Sequence, residues 1–68
     1  MSKKLNSISV HSKIKEAEAK EFTGLNFAVL VLKSDDLEIH IYFNNKEEIR
    51  ELISVIEEAY KNIRVIKK

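Results

Sequence analysis

The sequence predicts an α+β domain: a three-stranded antiparallel β-meander followed by one amphipathic C-terminal α-helix, in the order β-β-β-α. Three observations predict it. Residues 45–63 repeat apolar side chains at helical spacing. Residues 37–43 alternate apolar and polar in period two, and residues 25–33 are apolar on both faces.

Residues 1–4 are a short polar start, expected to fray. Residues 5–22 are read as the first strand, because Ile8, Val10 and Ile14 alternate with polar residues. Ala17 and Ala19 alternate in the opposite phase, which a single bulge near Lys15–Glu16 reconciles. The rival is a helix over 13–22, favoured by its Lys, Glu and Ala and closed by Gly24. Its stripe would be Ile14, Ala17 and Phe22 only, interrupted by Glu18 and Glu21, so the strand is preferred.

Thr23-Gly24 reads as a turn. The strand over 25–33 places Phe27, Val29 and Val31 on one face and Ala28, Leu30 and Leu32 on the other, as in a central strand. With Asp35-Asp36 as a two-residue turn, Ser34 sits opposite Leu37. The pairs Leu32–Ile39, Leu30–Ile41 and Ala28–Phe43 then form the face expected to receive the helix. The other face carries Lys33–Glu38, Val31–His40 and Val29–Tyr42, with Phe27 beyond. A helix over 45–63 follows, capped by Asn44 or Asn45 with Glu47 or Glu48 three residues on. Ile49, Leu52, Ile53, Ile56, Ala59, Tyr60 and Ile63 make its apolar stripe, expected to lie on the sheet.

The 68 residues form one domain with a small core. Chains below about 70–80 residues usually need a disulfide, a metal or a second chain for stability. Cysteine is absent, which excludes disulfides and thiolate chemistry and leaves oligomerisation. A net charge of +1 argues for neither nucleic acid nor an anionic membrane. No apolar run reaches the ~18 residues of a membrane span, and the Met-Ser-Lys-Lys start lacks a signal-peptide segment, so a cytoplasmic protein is expected.

No motif carries chemistry. His11 and His40, with Glu38 beside the latter, lack an obvious third metal ligand. There is no Gly-x-Ser-x-Gly elbow or phosphate loop, and Asp35-Asp36 is more simply a turn than an acid–base pair. No catalytic, metal or cofactor residue is therefore expected, and the protein is expected not to be an enzyme. The candidate site is an interface: Ile8 and Val10 on a strand that overruns its neighbour, with Phe27, Val29, Val31, His40 and Tyr42 on the face a single helix cannot cover. The size, the lysine- and isoleucine-rich make-up and the β-β-β-α plan are typical of accessory proteins of phages and mobile elements in AT-rich bacteria. The expected function is to bind and inhibit or regulate a host protein as a homo-oligomer. The alternatives are a nucleic-acid-binding accessory factor and an oligomer that sequesters a small molecule.

Overall fold

The computed structural model describes residues 5–67, so the expected fraying of 1–4 lies outside the described residues. The fold is a meander of β1 (Glu16–Phe22), β2 (Phe27–Lys33) and β3 (Glu38–Phe43), followed by helix α1 (Lys46–Lys61). The sheet is antiparallel in the order β1-β2-β3, with β2 in the centre. Its β2–β3 register pairs Leu32 with Ile39, Leu30 with Ile41 and Ala28 with Phe43. The hairpin closes on Asp35-Asp36, where the Ser34 N–H donates to the Leu37 carbonyl at 2.9 Å. Both features match the register deduced from the Asp35-Asp36 turn and the alternation of residues 37–43.

The first strand is shorter than expected. The strand reading holds over the helical rival, but only from Glu16, with one further bond from the Lys15 N–H to the Lys33 carbonyl at 2.8 Å. Residues 5–14 form neither strand nor helix, so the two alternation phases need no bulge: only one of them enters the ladder. The physical reason is the length of β2. Its seven residues are all matched by residues 16–22, and nothing in the sheet remains for the preceding segment to pair with.

The β1–β2 turn also differs. A two-residue Thr-Gly turn would set Phe22 opposite Leu25, whereas Phe22 pairs with Phe27 across a 3-10 turn at Thr23–Leu25 and Asn26. Asn26, not Gly24, takes the left-handed conformation, at φ 56° and ψ 45°. Asparagine tolerates that region better than most residues with a Cβ. The shift is two residues, so every side chain of β1 keeps its face.

At α1 the capping expectation is met and refined. The Asn45 side chain accepts from the Glu48 N–H at 3.1 Å, and the Glu48 carboxylate reaches back to the Asn44 N–H at 2.8 Å. The Lys46 N–H donates to the Glu21 carboxylate of β1 at 3.1 Å, tying the start of α1 to the sheet face that carries Ala28 and Phe43. An acceptor at a helix N-terminus satisfies one of its free amides and suits the macrodipole.

The helix does not then lie along the sheet. Ile49 is buried and Leu52 half-buried, but Ile53 and Ile56 are 51% and 56% exposed, and Tyr60 is 75% exposed. The expectation that the whole stripe covers its own sheet is thus corrected: only the first turns do. The molecule is accordingly open. Its radius of gyration is 14.9 Å, against about 11 Å for a compact chain of this length. It exposes 6713 Å², where a folded monomer of this mass exposes about 4,400 Å². Among the described residues the buried apolar side chains are Ala28, Val29, Val31 and Ile49.

Candidate interaction surface

Two surfaces stand out, on opposite sides of the sheet. The first is the face away from α1, where cross-strand rows run Glu16–Lys33–Glu38, Glu18–Val31–His40 and Lys20–Val29–Tyr42, ending on Phe22–Phe27. Val31 and Val29 are only 6% and 7% exposed, although no helix covers them. They are flanked by the long side chains of Glu18 and Lys20 on one side and the rings of His40 and Tyr42 on the other. Stems and rings of this kind cover apolar neighbours while keeping their polar ends in water. The open apolar face expected at these two valines is therefore already closed from within the chain.

Above them lies a belt of charge. Glu18 Oε1 is 3.2 Å from Lys20 Nζ, and its Oε2 is 3.3 Å from Lys33 Nζ. The Lys20 hydrogen bond, then that of Lys33, holds the Glu18 carboxyl below its ordinary value, and Glu18 in turn raises Lys33. His40 Nε2 lies 3.0 Å from Glu38 Oε1. At the hairpin end, Asp36 accepts from Ser12 and Ser34, both at 3.0 Å, which lowers its pKa. Lys15 meets Asp35 at 2.8 Å. These pairs are exposed, and such pairs add little stability.

What stays open on this face is an aromatic corner. Phe22 stacks on Phe27 with ring centroids 4.8 Å apart, and Phe27 lies 5.9 Å from the tilted ring of Tyr42. Tyr42 is 65% exposed, Phe22 is exposed and Phe27 half-buried. Of the residues singled out from sequence, the fold thus brings Phe27, Val29, Val31, His40 and Tyr42 onto one face. Ile8 and Val10 are on the segment before β1, exposed and outside the sheet. Phe22 was missed, because the assumed two-residue turn put Leu25 opposite it. Its ring became part of the corner when the longer turn brought it against Phe27.

The second surface is the stripe of α1. Beside it lies an open groove of about 440 Å³ lined by side chains of α1, among them Lys46, Ile49, Arg50, Ile53, Ser54 and Glu57. The stripe continues past α1 in exposed Ile63, Val65 and Ile66. A signal for this was present in the sequence: Val55 lies off the stripe and Val65 and Ile66 beyond its end, more apolar surface than one face of a small sheet can cover.

Among the described residues no three or more His, Asp or Glu side chains gather as a metal would require. No helix among them is long and apolar enough to cross a membrane. No protein-family model, curated protein or solved structure matches this chain.

Proposed function

We propose that the chain is a small non-enzymatic interaction protein that binds a host protein, and inhibits or regulates it, as a homo-oligomer in the cytoplasm. This role fits the phage or mobile-element accessory proteins that its make-up is typical of. One observation carries the reading: the chain leaves more large apolar side chains exposed than it buries, in an open shape. Contiguous apolar surface of this kind marks contact with another macromolecule.

The aromatic corner Phe22–Phe27–Tyr42 supplies the anchor for the host protein. Tyrosine and phenylalanine bury much area at small entropic cost and dominate binding energy at interfaces. The belt of Glu18, Lys20, Lys33, Glu38 and His40 beside it forms a polar rim of mixed sign, which selects register more than it adds affinity. The test is capture from host lysate with the tagged chain, after nuclease treatment and across a salt series. Capture of one host protein in stoichiometric amount, lost in Phe22→Ala/Tyr42→Ala, is the expected result. Both residues are exposed, so that variant keeps the fold. Equal capture by the variant, or binding that depends on nucleic acid and falls steeply with salt, would overturn the reading.

A further inference from the structure

We infer that α1 is the self-association element: two copies of this chain pair their α1 stripes antiparallel about a two-fold axis at Ile56. The inference rests on the reading of the chain as an interaction protein, and assigns the surface that makes it an oligomer. It also separates that surface from the aromatic corner on the other side of the sheet.

The area argues for a second copy. The chain exposes about 2,300 Å² more than a compact monomer of its mass, part of it in the segments flanking the fold. The share open to pairing is that of α1 and the tail after it, where Ile53, Ile56, Tyr60, Ile63, Val65 and Ile66 are all more than half exposed, and about 1,200–2,000 Å² across both copies suffices for a stable interface. A stripe that meets its own copy is the isologous contact that closes on itself and leaves no apolar edge. Self-pairing also answers the small core of a chain without cysteine.

The charges fix the direction. Over the first turns of α1 Glu47, Glu48 and Glu51 outnumber Lys46 and Arg50, whereas around and beyond its end Lys61, Arg64 and Lys67 outnumber Glu57 and Glu58. Parallel pairing would set acid beside acid and base beside base, whereas antiparallel pairing sets each beside its opposite and opposes the macrodipoles. With the axis at Ile56, Ile53 faces Ala59 and Leu52 faces Tyr60. Large residues then meet small or flat ones. The exposed tail bearing Val65 and Ile66 runs back beside the first turns of the other α1, where Ile49 already meets the sheet.

The absence of cysteine makes the test direct. Single cysteines are placed in the full chain at Ile56→Cys and Ile63→Cys and oxidised mildly at micromolar concentration. In the antiparallel pair the two copies of position 56 meet at disulfide distance, while those of position 63 lie beyond opposite ends of the two helices, whose last residues are already about 15 Å apart along the axis. The expected result is a cross-linked dimer from Ile56→Cys, none from Ile63→Cys, and a mixed dimer when Ile53→Cys meets Ala59→Cys. Light scattering should give twice the chain mass for the unmodified protein and the single chain mass for Ile53→Asp/Ile56→Asp. Equal cross-linking at 56 and 63 overturns the antiparallel register; no cross-linking at 56, or a monomer in light scattering, overturns the α1 dimer. A monomer that still captures its host protein through Tyr42 would leave the proposed function standing without the dimer. A dimer that captures nothing would do the reverse.

Discussion

At Asn26 and Gly24 a single residue type and a single backbone angle do not go together. The turn holds one glycine, yet the left-handed position is taken by Asn26, and Gly24 has a negative φ with open space where a Cβ would go. Gly24→Ala should therefore stabilise the domain by about 0.4–1 kcal/mol, by narrowing the unfolded ensemble. Asn26→Ala should cost about 1–2 kcal/mol, since a plain Cβ is unfavourable in that region, and Asn26→Gly should be tolerated. Denaturant melts of the three variants check this; a destabilised Gly24→Ala would place the strained residue at 24 instead.

At the scale of elements, α1 divides into two halves with different duties. Its first turns are held by the Asn45 cap, by Glu21 across the sheet and by burial of Ile49. Its second half projects from the sheet with Ile53, Ile56 and Tyr60 uncovered. Ile49→Asp should therefore abolish folding, because it buries an unpaired charge. Ile53→Asp or Ile56→Asp should leave the meander and the first turns of α1 intact and break association alone. Circular dichroism joined to light scattering separates the two outcomes. Loss of all structure in Ile56→Asp at low concentration would mean that α1 lies on its own sheet after all. Glu58→Ala, on the exposed face of α1, should change stability by less than about 0.5 kcal/mol.

For the whole molecule, an open shape and a small interior make stability depend on assembly. A radius of gyration of 14.9 Å leaves too little buried surface to offset the conformational entropy of 68 residues comfortably. Pairing should then stabilise the folded chain by mass action, with a thermal midpoint that rises with protein concentration. Each tenfold increase is worth about 1.4 kcal/mol per dimer. A midpoint independent of concentration over two decades, measured by scanning fluorimetry, would show a chain that does not pair.

The sequence by itself determined what depends on nearest neighbours. Alternation over 37–43 and the Asp35-Asp36 turn specified the β2–β3 register residue by residue, because a slip of one would turn Ile39 and Ile41 outward. Asn45 and Glu48 specified where α1 begins, because capping is satisfied within four residues. His40 and Tyr42 were placed beside Val31 and Val29 for the same reason. Tertiary structure alone decided how far β1 extends and what the ends of the stripe touch. Strand length is set by the length of the neighbour, so residues 5–14, with Ile8 and Val10, fell outside the sheet. The direction in which α1 leaves Phe43 is set by Glu21 and Ile49 at its first turns, which no periodicity encodes. A helical repeat of 3.6 residues says that Ile53, Ile56 and Tyr60 share a face; whether that face meets its own sheet or another chain is a property of the three-dimensional path.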